Sequence, residues 1–177
     1  TVIQYFKKFL EKNPKNYLGL YAIIENLLED GRYDEAVPYI NGIGEVRQNN
    51  QALMYEGDVA FGKGNIEEAK KLWNRAVETH PAEWQAYCNR ADRLKKLGLL
   101  EEAIADYEKC VEMQEAPHII DGLYSLAQVH EAMQDYEKAI YDNKRIIEYL
   151  ASDFGISDGE QVDSRKREIE RLKSFLL

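Results

Sequence analysis

The sequence predicts an all-α fold, an α-solenoid built from helix-turn-helix repeats. Glycines recur at Gly31, Gly64 and Gly98, with spacings of 33 and 34 residues. An alanine follows each of these glycines five residues later, and Ala139 continues the series. On both sides of each glycine, apolar residues lie three or four positions apart, as on one face of a helix. Since four copies agree at several fixed offsets, a stack of repeated hairpins is favoured over an isolated hairpin.

The second repeat shows how each unit is built. Gly64 suits the left-handed turn that ends a helix. Glu67 and Glu68 place negative charge in the first turn of the helix that follows. Ala69 is small enough for two helices to approach closely, and Trp73 fills the space between neighbouring hairpins. The segment therefore predicts two helices that meet at a glycine turn.

These positions resemble the tetratricopeptide repeat, a 34-residue helix-turn-helix unit with the sequence cue W-x2-L-G-x2-Y…A-x3-F…P. The resemblance covers about residues 1–150 and is strongest in the second repeat, at Gly57, Gly64, Ala69, Trp73, Ala76 and Pro81. It implies a right-handed superhelix in which the first helices of successive repeats line a concave groove. Members of the family use this groove to hold peptides from other proteins.

The predicted repeats follow one another along a single continuous solenoid domain. The segments are 1–14 (second helix of an incomplete repeat), 17–49 (repeat 1), 50–83 (repeat 2), 84–117 (repeat 3), 120–153 (repeat 4) and 157–177 (C-terminal capping helix). In the first segment Val2, Phe6 and Phe9 occupy the alanine, aromatic and small positions of a second helix. Because that helix has no first helix beside it, we expect the chain to be a fragment of a longer polypeptide. A native N-terminal cap is the alternative.

The fourth repeat departs from the pattern at two positions. Gln134 stands where the other repeats have the turn glycine, and Asn143 takes an aromatic core position. A buried amide without a partner costs ~1–3 kcal/mol, so we expect Asn143 to be hydrogen-bonded. The alanine spacing between the third and fourth repeats grows to 36 residues, which predicts a two-residue insertion within Gln114 to Pro117.

The C-terminal segment predicts a helix that covers the last repeat. Ser157 and Glu160 have the spacing of a capping box. An apolar stripe follows, formed by Val162, Ile169, Leu172 and Leu176. Most other positions are charged, and Glu168 and Glu170 are interspersed with lysines and arginines. A solvated charged face is therefore favoured over a basic surface for anionic partners.

The composition argues against several classes of protein. The 177 residues include 23 Lys+Arg and 32 Asp+Glu, and the net charge of −9 argues against binding duplex nucleic acid. No apolar run approaches the ~18 residues that span a bilayer. Two cysteines cannot form a disulfide framework, which fits a reducing compartment. We expect a cytoplasmic protein whose partners include neither nucleic acid nor membrane.

No constellation of catalytic or metal-binding residues is recognisable in the sequence. The three histidines, His80, His118 and His130, lack metal-ligand spacing. Phosphate-loop and nucleophile-elbow motifs are absent. We expect His130 to be packed in the fourth repeat, Cys110 to be a buried, inert thiol, and Cys88 to lack an activating base. The sequence predicts no enzyme activity, no cofactor and no metal.

The first-helix positions that would face the groove form the candidate binding site. They are Tyr21, Glu25, Met54, Asp58, Gln85, Cys88, Asn89, Asp92, Tyr124 and Gln128. This set combines aromatic and soft apolar side chains with carboxylates. Aromatic side chains supply contact area, and carboxylates select cations. We therefore expect a scaffold that binds a basic or mixed aromatic segment of a protein partner.

One subset of the family grips the C-terminal carboxylate of heat-shock chaperones with two lysines, two asparagines and an arginine. Asn89 matches one asparagine of that set. The other four positions hold Met54, Asp58, Asp121 and Ser125. An anionic chain end would therefore meet carboxylates instead of lysines, which disfavours such a ligand.

Two other functions stay open. The array could serve as a structural or regulatory spacer attached to an enzyme or sensor domain upstream. It could also self-associate into a homo-oligomer through an open N-terminal end, where Phe6, Phe9 and Leu10 would be exposed.

Overall fold

The structure is a computed structural model that describes residues 1–46, 50–114 and 119–177. Every regular element in these ranges is an α-helix. The helices are α1 (Val2–Lys12), α2 (Tyr17–Glu29), α3 (Tyr33–Val46), α4 (Gln51–Gly62), α5 (Ile66–Thr79), α6 (Trp84–Lys96), α7 (Leu100–Met113), α8 (Ile119–Ala132), α9 (Tyr136–Phe154) and α10 (Glu160–Lys173). Helices pack pairwise as hairpins, α2 with α3, α4 with α5 and α8 with α9. The predicted all-α array of helix-turn-helix repeats is confirmed.

The chain divides into two compact units, Thr1–Ala86 and Tyr87–Leu177. The core of the first unit is centred on α2 and α3, where buried aliphatic side chains from both helices meet. These side chains are Ile23, Ile24, Leu27, Ile40 and Ile43. Complete burial of one such side chain contributes about 1.5–3 kcal/mol of hydrophobic free energy. The same cluster includes buried side chains of α1 and α4, and so holds four helices together.

The helices α4 and α5 are joined by a close contact between Gly57 and Trp73. The indole of Trp73 is buried, and its Nε1 donates a hydrogen bond to the carbonyl oxygen of Met54 at 3.2 Å. A Cβ atom on Gly57 would overlap the indole ring. Glycine at this position therefore lets α4 approach the large aromatic side chain of α5.

The N-terminal helix α1 differs from the sequence prediction in which residues it buries. Val2 was expected in the buried alanine position, but it is 56% exposed. The buried stripe runs instead through Ile3 and Leu10, two helical turns apart. The side chains expected to be exposed for self-association, Phe6, Phe9 and Leu10, belong to or pack against the core of the first unit. Leu10 is buried, whereas Phe6 and Phe9 are only partly buried.

The turn glycines have the conformation that the repeat pattern predicts. Gly31, Gly64 and Gly98 have φ angles of 69°, 83° and 74°. Glycine adopts this left-handed region without the steric cost that a Cβ atom imposes. Gln134 occupies the same turn in the fourth repeat with a φ of 62°, although it carries a side chain.

The second unit, Tyr87–Leu177, has its own core, formed by α6 to α10. Its completely buried side chains include Ala91, Ala103, Leu123, Val129, Ile146 and Val162. Asn143 is hydrogen-bonded as expected. Its Nδ2 donates to the carbonyl oxygen of Ala139 at 2.8 Å, and its Oδ1 accepts from Arg165 at 3.1 Å. Residues 115–117 of the predicted insertion, and His118, lie outside the described residues.

The last helix, α10, packs on α9 with most of the predicted stripe. Val162, Ile169 and Leu172 are buried. Its start differs from the prediction, because Gly159 is the N-cap and no side chain caps the helix. The predicted capping box is wrong because Ser157 lies two residues before that N-cap. Leu176 follows the last helical residue and is half exposed, so it does not extend the stripe. No helix of the described ranges is both long and apolar enough to cross a bilayer.

Candidate binding surfaces

In the first unit, the neighbouring first helices α2 and α4 form a surface that is rich in tyrosine. We call it the α2–α4 surface and define it by Tyr17, Leu18, Tyr21, Glu25, Gln51 and Asp58, together with the buried Tyr55 that contacts Tyr21 and Glu25. The Tyr17 hydroxyl donates to Gln51 across the two helices. The Tyr55 hydroxyl donates to Oε1 of Glu25 at 2.6 Å. The rings of Tyr21 and Tyr55 meet edge to face, with centroids 6.3 Å apart. These contacts fix the side chains of one helix against those of the other.

The exposed part of the α2–α4 surface follows one face of α2. Leu18 is 73% exposed and Tyr21 is 41% exposed. Glu25 follows Tyr21 by four residues, so the two side chains lie one turn apart on that face. The charged residues of α2 and α4 are all acidic, namely Glu25, Glu29, Glu56 and Asp58. The surface therefore combines exposed apolar area with negative charge.

Met54 does not belong to this surface. The sequence placed it at a groove-facing position, but the side chain is 1% exposed. Its carbonyl oxygen accepts the hydrogen bond from Trp73, which shows that this part of α4 faces α5. The buried residues of α4 are Met54, Tyr55, Gly57 and Val59, so its buried face is wider than the repeat pattern suggests. Among the sequence-predicted site residues of the first unit, Tyr21, Glu25 and Asp58 are at least partly exposed, and Gln85 is exposed near the start of α6.

In the second unit, Cys88 and Cys110 form a disulfide that joins α6 to α7. Their Cα atoms are 5.6 Å apart, a separation that a disulfide spans without backbone movement. The sequence-based expectation of two separate thiols is therefore wrong. Cys110 is completely buried, as expected, but its sulfur is bonded to that of Cys88. Cys88 cannot offer a free thiol to a ligand in this state.

The hairpin of α6 and α7 also contains an ion pair that sequence reasoning missed. Arg90 donates two hydrogen bonds to the carboxylate of Asp106, both at 2.7 Å. Asp92 was predicted to face a ligand, and its Oδ1 accepts from the Tyr107 hydroxyl at 2.5 Å. Burial, together with the hydrogen bond to Asp92, raises the pKa of Tyr107, so the phenol stays protonated as a donor. Arg90 and Asp106 are 16 residues apart and lie on different helices, so the three- and four-residue spacing within a helix could not predict their contact.

The remaining predicted site residues of the second unit also have contacts within it. Gln128 is exposed, and its Oε1 accepts from Lys95 at 3.4 Å. The carbonyl oxygen of Asn89 accepts from Arg93 at 2.8 Å. Tyr124 is half-buried beneath a guanidinium group of α10, described below. Several residues that were predicted to contact a ligand therefore contact other residues of the same unit.

A buried pair of titratable groups lies between α8 and α9. His130 is packed, as expected, and its Nδ1 lies 2.7 Å from Oδ2 of Asp142. Arg145 approaches the other carboxylate oxygen at 3.6 Å. Burial raises the pKa of Asp142, although His130 and Arg145 oppose that effect. The side chains of His130 and Asp142 are only 6% and 3% exposed, so this pair lies inside the hairpin and away from the protein surface. Within the described part of the chain, no group of three or more His, Cys, Asp or Glu is arranged to hold a metal ion.

Stacked hairpins, left-handed glycine turns and interlocked small and aromatic side chains define an α-helical repeat protein. Residues 51–82 and residues 85–117 each match a family model described as tetratricopeptide repeat. The chain belongs to the tetratricopeptide repeat family, a protein-binding family.

Several curated proteins resemble parts of the chain. The Hsp70-Hsp90 organizing protein of Triticum aestivum is 26% identical over 115 residues, which cover 59% of this chain and 20% of that protein. The protein SGT1 homolog of Oryza sativa subsp. japonica is 37% identical over 66 residues, 37% of this chain and 18% of the relative. The chain thus spans at most about a fifth of the length of these relatives.

Solved structures share the fold. A thermophilic tetratricopeptide repeat protein of Thermus thermophilus superposes with a TM-score of 0.66 at 16% identity, covering 99% of this chain and 89% of that one. A tetratricopeptide repeat protein of Parabacteroides merdae gives a TM-score of 0.66 at 21% identity, covering 97% and 63%. At these identities the similarity shows the fold alone.

Proposed function

We propose that the chain is a protein-interaction scaffold without catalysis of its own. It binds a basic or mixed aromatic segment of another protein on the α2–α4 surface. One observation carries this proposal: exposed Leu18 and Tyr21 lie on a pair of helices whose charged residues are all carboxylates. The family-level finding that tetratricopeptide repeats bind proteins supports the class of partner.

The charge of this surface favours a cationic segment. The carboxylates of α2 and α4 attract lysine and arginine side chains, and they repel an acidic segment by like-charge juxtaposition. The apolar area of Leu18 and Tyr21 adds contact for aromatic or aliphatic side chains of the partner.

The hydrogen bonds between α2 and α4 prepare this surface for binding. Tyr55 is held by Glu25, and Tyr17 by Gln51. A side chain that is already ordered loses less conformational entropy when a partner binds, and so less of the interaction energy is spent on ordering. The geometry therefore supports a preformed binding surface.

The names of the relatives suggest a competing ligand. Hsp70-Hsp90 organizing proteins are named for two chaperones. In the family subset that binds chaperone C-termini, lysines hold the terminal carboxylate, and this chain has Met54, Asp58, Asp121 and Ser125 at four of the five positions. We therefore propose a basic segment, and an acidic C-terminal peptide serves as the opposing case in the test.

Titration of labelled peptides tests the proposal. One peptide alternates arginine and lysine with phenylalanine, a second has glutamate in place of every cation, and a third ends in an acidic C-terminal sequence. Fluorescence anisotropy should show the tightest binding for the basic peptide. Equal or tighter binding of either acidic peptide would contradict the proposal.

A matched pair of variants locates the site. Glu25→Gln removes a charge from the α2–α4 surface and keeps an oxygen that can accept from Tyr55, so it should weaken binding of the basic peptide about threefold. Glu137→Gln makes the same change at an exposed position of α9 and should leave the affinity unchanged. Similar effects of the two variants would place the binding site elsewhere.

A further inference from the structure

The second unit shows how a tyrosine of this array holds a guanidinium group. The Cζ atom of Arg165 lies 4.8 Å from the ring centroid of Tyr124. Nη1 of the same guanidinium donates to Oδ1 of Asn143 at 3.1 Å. Asn143 is itself fixed, because its Nδ2 donates to the carbonyl oxygen of Ala139. The guanidinium of Arg165 thus contacts both the ring of Tyr124 and the side-chain oxygen of Asn143.

Tyr21 occupies the corresponding position in the first repeat. Both tyrosines are the fifth residue of a first helix in the predicted repeat register. Tyr21 as a whole residue is 41% exposed, so part of it is accessible to a partner. Glu25 lies one turn further along α2 and presents a carboxylate that has further acceptor sites beyond the one Tyr55 uses. A ring face and an acceptor oxygen are therefore adjacent here too.

We infer that the α2–α4 surface recognises an arginine of its partner, with the guanidinium over the ring of Tyr21 and hydrogen-bonded to Glu25. This inference rests on the proposed function and names the residue that the surface selects. The occupant is an arginine-containing basic segment, since the charged groups of α2 and α4 are carboxylates.

Arginine fits this arrangement better than lysine for three reasons. Its guanidinium is planar and stacks on an aromatic ring, whereas an ammonium is a compact point charge. It is also more weakly hydrated, so it loses less on leaving water. Its fork of N–H donors can reach a carboxylate while the plane covers the ring. A carboxylate alone would attract both cations, and the tyrosine ring supplies the discrimination.

Two peptides that differ only in their cations test the inference. One carries arginine and the other lysine at every basic position, and both alternate with phenylalanine. The arginine peptide should bind ~2–5-fold more tightly to the unmodified chain. In Tyr21→Leu, which keeps apolar area and all carboxylates, this ratio should fall to about one, whereas Tyr21→Phe should keep it. Tyr5→Leu changes an exposed tyrosine of α1 and should leave the ratio as it is.

The outcomes separate this inference from the proposed function. Equal affinity for the two basic peptides, or an arginine preference that survives in Tyr21→Leu, overturns the inference while a basic surface stands. Equal or tighter binding of the acidic peptides overturns the proposed function itself, and the inference with it. An NMR titration supplies a second readout: side-chain protons of a labelled arginine should shift upfield over the Tyr21 ring and lose that shift in Tyr21→Leu.

Discussion

Gln134 takes a backbone conformation that the other repeats assign to glycine. Its φ of 62° matches the 69°, 83° and 74° of Gly31, Gly64 and Gly98. For a residue with a Cβ atom the left-handed region costs roughly 1–2 kcal/mol. The fourth hairpin therefore carries strain at its turn that the other three avoid.

Gln134→Gly should relieve that strain. We expect the free energy of unfolding to rise by about 1 kcal/mol, measured by urea denaturation. Gln128→Gly makes the same change inside α8 and should lower it by about 1 kcal/mol, because glycine is a poor helix former. A loss of stability in Gln134→Gly would contradict the strain argument.

Asp142 links the stability of the second unit to pH. Burial raises the pKa of its carboxyl above the ordinary 3.8, so the folded state keeps a proton that the unfolded chain has already released. The stability that this carboxyl contributes is fully present below pH 3.8 and is lost as the pH rises through the raised pKa.

Asp142→Asn removes this titration. The free energy of unfolding of the variant, relative to the unmodified chain, should increase as the pH rises from about 3.5 to about 7. Urea denaturation at several pH values measures the difference. Asp153→Asn, the same change at an exposed position of α9, should give a much flatter difference. A difference that falls with rising pH for Asp142→Asn would refute the prediction.

At the scale of helices, the hairpin of α6 and α7 is joined by both covalent and polar contacts. The Cys88–Cys110 disulfide, the Arg90–Asp106 ion pair and the hydrogen bond from Tyr107 to Asp92 all join its two helices. The covalent bond also restricts the unfolded chain, because it closes a loop across a sequence separation of 22.

Reduction of this disulfide should destabilise the second unit. Closing a loop of this length contributes about 3 kcal/mol, so dithiothreitol should lower the free energy of unfolding by about that amount. Cys88→Ser should show the lower stability from the start and should not respond to the reductant. A thiol titration of the denatured, unreduced chain provides the check, since two free thiols would show that the bond had not formed.

The sequence predicted the hairpins better than the contacts between their side chains. Spacing alone located the turn glycines, because a left-handed turn needs a particular residue at a particular offset. It could not pair Cys88 with Cys110, because the register of two helices in a hairpin decides which side chains meet. It placed Met54 at the surface because the repeat pattern does not show how much of α4 is covered by neighbouring residues. The tyrosines of the α2–α4 surface come together through contacts between repeats. Of these tyrosines, the sequence identified only Tyr21 as a site residue.

At the scale of the whole molecule, the net charge of −9 acts on every approaching partner. A negative chain attracts a basic segment over a distance of about 10 Å at 0.1 M salt, and added salt shortens that range. The attraction mainly speeds association, and it does so without requiring a specific contact.

Salt should therefore weaken peptide binding in a charge-dependent way. Raising sodium chloride from about 0.05 M to about 0.5 M should lower the affinity of the basic peptide, mainly through slower association in stopped-flow measurements. Glu25→Gln should reduce the dependence on salt. Affinity that is constant across this range would indicate that apolar contacts alone hold the peptide.

The disulfide also has a mechanical consequence. When a force pulls on the two ends of the chain, the segment between Cys88 and Cys110, a separation of 22 residues, lies in a covalent loop that cannot extend. At 3.3–3.6 Å for each extended residue, and with 5.6 Å still spanned between the bonded cysteines, the oxidised chain reaches its full length roughly 70 Å short of the reduced one. A tether made from this protein would thus have two lengths, chosen by the thiol chemistry of its surroundings.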